Sequence, residues 1–284
     1  MKSKTNYGLD VMEENELDIE KIKNHWYASI YDQQENQTHD VELLLSILDN
    51  KQQDFTPKRI LEVCCGGGRI LIPLARTGYD AVGIDLDDDM MSMIPGKAGE
   101  MRNIKFYKTD ALKSDWGKDY DVIVLAGNIM INIITDGDYK EAQQILIQKA
   151  YGALKAGGYV YLDLDLHAHP ENVFNSTCER IHFEGYDDTG VYGRYIGCAG
   201  TYNIKTQMTN GKSRTEITLP NGKTYTFERK SSKHIPNLEQ IHEWLIMAGF
   251  VLEQEYGDYD KNPIGEMTNR AIIYARKEIH DKPS

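Results

Sequence analysis

The chain has 284 residues and carries 44 acidic against 32 basic side chains, a net charge of −12. That balance opposes a broad nucleic-acid or anionic-membrane surface, because phosphate binding depends on clustered Lys and Arg. Hydrophobic residues make up 40% of the sequence, enough for a real core, and no apolar run approaches the roughly 18–20 residues needed to cross a bilayer. The N-terminal stretch turns acidic where a signal peptide needs an apolar centre, so the sequence reads as a soluble, cytoplasmic protein whose partners are small molecules.

The segment HWYASIYDQ sits within the first 37 residues, and its aromatics require burial. Residues 1–37 therefore read as helical, docked on a sheet edge or closing as a lid over a site. From residue 38 short β-branched runs alternate with helical patterns. KRILEVC (58–64) is a buried-strand pattern, and RILIPLARTGY after it is apolar at helical spacing. DAVGID (80–85) is a second strand, followed by the Met-rich helical stretch DDDMMSMI, where Asp87, Asp88 and Asp89 favour a helix N-terminus. IKFYKTD (104–110), YDVIVLAG (120–127) and GYVYLDLDL (158–166) are three more strands. A long amphipathic helix lies between the last two and ends at a glycine stop. This rhythm predicts a Rossmann-like, doubly wound, mostly parallel α/β core over residues 38–178.

Residues 179–232 lose the helical period and alternate instead. The pairs Asn210-Gly211 and Asn221-Gly222 fall between alternating runs as hairpin signals, so an antiparallel β insertion is expected, capping an acceptor site. The densest basic stretch, RKSSKH (229–234), reads as a solvated strand end. Residues 233–278 bring back a helix, NLEQIHEWLIMAGF, then two strands forming a late antiparallel hairpin that completes the core. Residues 279–284 are a tail. The cysteines are Cys64, Cys65, Cys178 and Cys198, with neither C-x-x-C nor Cys/His ligand spacing, and free thiols are expected.

Gly66, Gly67 and Gly68 fall in the first strand-to-helix turn, where ligands of open parallel sheets bind. A triphosphate loop requires a Lys-Ser/Thr after the glycines, and Arg69-Ile70 stands there. A dinucleotide fingerprint requires a third small residue where Leu71 stands. S-adenosylmethionine carries no phosphate. It needs Gly66 and Gly68 for close approach and an acid at the end of the second strand for its ribose hydroxyls, a place filled by Asp85. Asp110, ending the third strand, is placed to meet the adenine amino group.

The stretch ILEVCCGGGRILIPLARTGYDAVGIDLDDDMM resembles the first motif block of class I S-adenosylmethionine-dependent methyltransferases, through Glu62, Cys65, Gly66, Gly68, Arg69 and Asp85. The resemblance continues more loosely through Asp110 to the closing hairpin. It implies methyl transfer with S-adenosylhomocysteine as product. It also implies a cofactor site of Tyr31, Glu62, Cys65, Gly66, Gly68, Arg69, Asp85, Leu86, Asp110, Ala111 and Ala126. The late β insertion, the IYD near the N-terminus and HPENV (169–173) resemble the N-methyltransferases of amino sugars and of glycine or sarcosine. In those relatives an N-terminal tyrosine closes over the cofactor, which matches Tyr31. Some carry a His after the fourth strand as a base; here that stretch is GNIMINI, so that assignment does not transfer.

Methyl transfer asks the protein mainly for alignment and exclusion of water. Tyr31, Asn128 and His167 are the candidate catalytic residues, with Asn132 beside them as a further polar group. Asn128 and Asn132 equally suit turn-forming roles, and His167 suits a general base or a satisfied loop histidine. DLDLHAH (163–169) does not form a convincing ligand pattern, so no metal is expected. Tyr195 and Tyr202 either wall the acceptor pocket or pack across strands. The expected activity is methyl transfer to a small polar molecule at nitrogen. A nicotinamide oxidoreductase and a non-catalytic S-adenosylmethionine-binding protein are the alternatives.

Overall fold

The computed structural model describes residues 16–49, 58–266 and 268–278; the first fifteen residues of the expected lid and the 279–284 tail lie outside them. Two helices open it, α1 (Glu16–Gln34) and α2 (His39–Leu48). The α/β rhythm then runs β1 (Arg59–Val63), α3 (Leu71–Arg76), β2 (Asp80–Asp85), α4 (Asp88–Met91) and α5 (Ile94–Ala98). It continues through β3 (Ile104–Lys108), β4 (Tyr120–Leu125), α6 (Ile129–Asn132), α7 (Tyr139–Ala153) and β5 (Leu154–Asp165). A short helix, α8 (Pro170–Phe174), leads into β6 (Arg180–Tyr186), β7 (Tyr192–Asn203), β8 (Met208–Thr218) and β9 (Thr224–His234). The chain returns through α9 (Leu238–Ala248) to β10 (Phe250–Tyr256) and β11 (Arg270–Lys277).

Among the described residues the strands form two sheets. The larger has the order β10-β11-β5-β4-β1-β2-β3. It is parallel from β3 to β5, while β11 runs antiparallel to both β5 and β10. This is the expected core with its late antiparallel hairpin. Hydrophobic side chains cover both faces: Leu61, Ile123, Leu146 and Ile241 meet on one, and Ile60, Val122, Leu71 and Tyr274 on the other. Burial on both sides is why β1 and β4 are mostly apolar rather than alternating. The winding direction reverses beside β1, since β2 lies on one side of it and β4 on the other. A crevice opens at the carboxyl ends of strands at such a point.

Two local expectations are corrected. The helix expected to stop at glycine ends earlier, at Ala153. Leu154 already pairs with Tyr120, and Gly157, at φ +75°, marks the irregularity in β5 before Val122 pairs with Tyr159. Asn210-Gly211 is no turn but the middle of β8, opposite Thr201 and Gly200. The turn falls after Asn203, whose side-chain oxygen accepts the Lys205 and Thr206 N–H groups, and Gln207 takes the positive φ of +55°. Gly200 has a packing reason: a Cβ there would lie 2.5 Å from the Phe174 carbonyl oxygen. The other pair, Asn221-Gly222, does turn, with Gly222 at φ +87°.

The second sheet, β6-β7-β8-β9, is antiparallel throughout. Helix α1 docks on this sheet rather than on an edge of the larger one. Trp26 is fully buried and donates from Nε1 to the Gly185 carbonyl at 3.0 Å. Its indole lies on Gly193, where a Cβ would stand 2.4 Å from the ring. Ile19, Trp26 and Ile30 close a small core with Val191, Ile217 and Leu219. No helix among the described residues is long and apolar enough to cross a membrane.

Candidate active site

The turn after β1 is built from backbone that side chains avoid. Cys64 leaves the strand at φ +59°, and Gly66 and Gly68 follow at +50° and +78°, a region that glycine enters without strain. Below Gly68 a Cβ would stand 3.1 Å from Ile72 Cδ1 and 3.2 Å from Ile94 Cγ1. Gly67 does more than add flexibility. A Cβ there would lie 2.7 Å from Asp32 Oδ1, so its bareness lets α1 cross the turn, where Asp32 pairs with Lys97 at 2.6 Å. Leu71, the residue that breaks the dinucleotide pattern, is accommodated by Gly83 of β2, whose Cβ would come within 2.6 Å of Leu71 Cδ2. The two thiols differ: Cys65 is buried and Cys64 exposed. Burial, then Glu62 and Asp85, push the Cys65 thiol up, so it stays protonated.

A cavity of about 350 Å³ opens at the carboxyl ends of β1, β2 and β4. Tyr31, Glu62, Cys65, Gly66, Arg69, Asp85, Leu86, Asp110, Ala111 and Ala126 all line it, so the structure brings together ten of the eleven expected cofactor residues. Gly68 lies beneath the turn, outside the wall. Charge on the wall is one-sided: Asp32, Glu35, Glu62, Asp85, Asp87 and Asp110 face a single guanidinium, Arg69.

Glu62 is the least ordinary of these acids. It is buried, and its Oε2 has no hydrogen-bond partner. Burial pushes its pKa up to about 8; Arg69 and the Leu71 N–H oppose the rise, and Asp85 and Asp40 add to it. Arg69 does not neutralise Glu62 by contact. Its two terminal nitrogens grip Asp40 of α2 at 2.7 and 2.6 Å, and Nη1 also donates to the Gln37 carbonyl at 2.8 Å. Asp85 accepts the Gly66 N–H on Oδ2 at 2.7 Å and the Asp87 N–H on Oδ1 at 2.9 Å. Asp110 Oδ1 accepts the Leu112 and Lys113 N–H groups at 2.9 and 3.2 Å, which fixes its direction at the end of β3.

Tyr27 and Tyr31 of α1, and Glu35 just past its end, reach the cavity at four-residue intervals, on one side of the helix. Tyr27 and Glu35 were missed in the sequence, although that spacing from Tyr31 was there to read. The Tyr31 ring lies 6.3 Å from that of Tyr27. Burial, then Glu35, raise its phenol's pKa, so it is a neutral donor.

The other candidates lie apart. Asn128 donates from Nδ2 to Asp165 Oδ2 at 2.7 Å and accepts the Asp165 N–H at 2.6 Å; it clamps β4 to β5 and is absent from the wall. His167 packs against Phe174 and shares a separate groove with His169 and Tyr202. Burial lowers its pKa, which keeps it neutral. Asp163 and Asp165 are both held by Arg270. Tyr195 packs edge-on against Tyr27 at 5.3 Å, behind the wall. Asn132, by contrast, does line the cavity.

Strand order, the glycine turn, the acid closing β2 and the acid-lined cavity define a class I S-adenosylmethionine-dependent methyltransferase. The match to a known family falls on the same part of the chain: residues 60–158 fit the family described as "Methyltransferase domain". A protein of Geobacillus sp. (strain WCH70), provisionally named a methyltransferase, is 20% identical over 229 residues, 78% of this chain and 85% of the relative. An S-adenosylmethionine-dependent methyltransferase from Clostridium acetobutylicum ATCC 824 superposes with a TM-score of 0.69 at 15% identity, over 89% of this chain and 98% of its own. The sugar N-methyltransferase KedS8 from Streptoalloteichus sp ATCC 53650 gives 0.62 at 14% identity, over 98% of each. These two structures share the fold.

Proposed function

We propose that the chain moves the methyl group of S-adenosylmethionine to a nitrogen of a small polar acceptor, which enters between α1 and the 129–134 segment that follows β4. The observation that carries this reading is the charge of the cavity. Glu35, Asp85, Asp87 and Asp110, with Asp32 paired to Lys97 and Glu62 protonated until a cation arrives, stand against one arginine that is itself tied to Asp40. This wall repels a pyrophosphate and suits a ligand with an ammonium and a sulfonium. When bound, the cofactor supplies a methyl carbon already activated for in-line displacement. Glu62, with its unpartnered Oε2, is the group to receive the ammonium. Asp85 takes the ribose hydroxyls, Gly66 leaves room for the methionine end in a turn that Gly68 lets sit close on Ile72 and Ile94, and Asp110 with Leu86 and Ala111 holds the adenine. Cys65, Arg69 and Ala126 complete the wall.

Beyond the methionine end stand Tyr27, Tyr31, Glu35 and Asn132. Tyr31 shields this end from water, and Glu35 lacks an ion-pair partner among the described residues. A rim carboxylate draws an amine, orients its lone pair and takes the proton that an ammonium must lose before attack. A rim of tyrosine and carboxylate therefore favours nitrogen, and it agrees with the sugar N-methyltransferase among the structural neighbours. Residues 1–37 act as the lid and 179–232 as the acceptor cap, on a core of residues 38–178 completed by 233–278. Neither Asn128 nor His167 takes part in the reaction on this reading, since both lie off the cavity.

The test is transfer of a labelled methyl group to paired small molecules that differ only in an amino or a hydroxyl group. Label in the amines supports the proposal. Label confined to the hydroxyl partners overturns the nitrogen assignment.

A further inference from the structure

Strand alternation places Phe227, Arg229, Ser231 and Lys233 on one face of β9. At one end of that row the Lys23 ammonium of α1 sits over the Phe227 ring at 4.9 Å. At the other, Lys233 Nζ donates to Asn132 Oδ1 at 2.5 Å, on the cavity wall. Arg229 therefore stands between the two, on the face of β9 turned toward α1 and Asn132. Its charge is felt on both sides: burial raises the phenol of Tyr27 and Arg229 opposes part of that rise, and Arg229 adds to burial in depressing the ammonium of Lys233. His182 of β6 lies in the same field, next to Arg180 and Lys233.

Arg229 and Lys233 have no acidic partner among the described residues, in a chain with twelve more acids than bases. The contrast within the same sheet is sharp. Arg194 and Arg214 are both paired with Glu216, and Arg214 with Glu179 as well. Chemistry also fixes the Asn132 amide. An ammonium has only hydrogens to give, so the atom it meets is the carbonyl oxygen, and both Nδ2 hydrogens are left for the cavity. The acceptor end of the site thus offers the Asn132 amide on its wall, with the Lys233 ammonium against it and the Arg229 guanidinium farther along the same row of β9, all donors, while Glu35, Tyr27 and Tyr31 line the same cavity.

We infer that Arg229 and Lys233 of the second sheet, with Asn132 oriented by Lys233, bind an oxyanion on the methyl acceptor, a carboxylate or a phosphate. The acceptor is then a molecule with an anionic group at one end and its amine turned toward Glu35. This rests on the methyl-transfer reading and narrows its substrate class.

The experiment is calorimetry on the full chain saturated with S-adenosylhomocysteine, titrating inorganic phosphate and, separately, acetate at constant ionic strength. Saturable binding of either ion, weakened about tenfold or more in Lys233→Met and in Arg229→Gln, supports the inference. Preference for phosphate or for acetate names the kind of oxyanion. Binding of neither ion, or equal binding by wild type and both variants, overturns it. S-adenosylhomocysteine affinity, measured on the same samples, separates the two readings. If the nucleoside fails to bind the wild type, methyl transfer falls on its own; if it binds all three proteins alike, a lost ion signal belongs to the oxyanion site and not to unfolding.

Discussion

Asp85 and Gly66 are joined by a hydrogen bond of 2.7 Å, from the glycine N–H to Asp85 Oδ2. The acid that closes β2 thereby also fixes the turn that follows β1. With Oδ1 taking the Asp87 N–H at 2.9 Å, each oxygen keeps a lone pair for the cavity. A carboxylate held this way is preorganised, and a pair of vicinal hydroxyls meets it without further ordering of the side chain.

Asp85→Ala should therefore do two things. Two charge-assisted hydrogen bonds to the cofactor disappear, about 1.5–3 kcal/mol for each, so affinity for S-adenosylhomocysteine falls at least about a hundredfold. The turn also loses an anchor, so the midpoint of thermal unfolding drops even without ligand. Asp85→Asn keeps an acceptor and should fall between the two. Calorimetry and a melting curve on the three proteins suffice, and unchanged affinity in the alanine variant removes Asp85 from the site.

Glu62 makes cofactor binding depend on pH. Burial raises its pKa to about 8, so near neutrality the empty site holds a protonated carboxyl. An arriving ammonium favours the charged form and releases that proton. Affinity should rise with pH up to about 8, by as much as tenfold per unit, and level off above it. The binding enthalpy at pH 7 should also change with the ionisation enthalpy of the buffer. The stability of the empty protein has the opposite slope. Folded Glu62 holds its proton between its unfolded pKa, 4.5, and about 8, so stability falls as pH rises through that window. Glu62→Gln should stabilise the empty protein more at pH 8 than at pH 5, while binding cofactor far more weakly. A buffer-independent enthalpy would contradict the linkage.

The cofactor half of the site was legible because its residues are close in sequence. Gly66 and Gly68 lie in the turn after β1 and Asp85 ends the adjacent β2, and a turn that needs positive φ together with an acid one strand over leaves a local pattern. The acceptor half was not legible. Lys233 reaches Asn132 across 101 positions, through the register of a sheet that no sequence window contains. RKSSKH read as solvated, although Lys233 is half-buried. Asn210-Gly211 misled for a related reason: the pair is carried through β8 by its pairing with Thr201 and Gly200, a long-range register that the local turn signal does not contain. The fold class was readable because buried parallel strands and the helices between them have different periods.

The three glycines should respond differently to alanine. Gly68→Ala forces a side chain to φ +78° against Ile72 and Ile94, which costs on the order of 1–3 kcal/mol of stability. Gly67 has ordinary φ, and its obstacles are the tips of Asp32 and Lys97, which can swing away. Gly67→Ala should melt near the wild type yet bind cofactor less tightly, by about threefold to tenfold, because α1 loses its ion pair over the turn. Asp32→Asn should reproduce that loss. If instead Gly67→Ala unfolds the protein and Gly68→Ala does not, the roles assigned to the two positions are reversed.

Arg270 offers a test of the acids in DLDLHAH that is independent of ligand. Asp163 is almost fully buried, with 1% side-chain exposure, and is held by Arg270 Nη1 at 2.6 Å and the Tyr259 hydroxyl at 3.0 Å. Burial nevertheless raises its pKa, so the arginine compensates only part of the desolvation. Arg270→Met leaves a buried carboxylate without its cation and should cost about 3–5 kcal/mol at pH 8. The folded pKa of Asp163 then climbs further, and an acid raised in the folded state is least costly at low pH. The deficit should shrink as pH falls toward 5, where Asp163 takes up a proton. Adding Asp163→Asn to Arg270→Met should recover part of the loss at pH 8 and little at pH 5. Equal deficits at both pH values would mean that Arg270 stabilises by packing over Tyr259, which it overlies at 5.0 Å, and not by its charge.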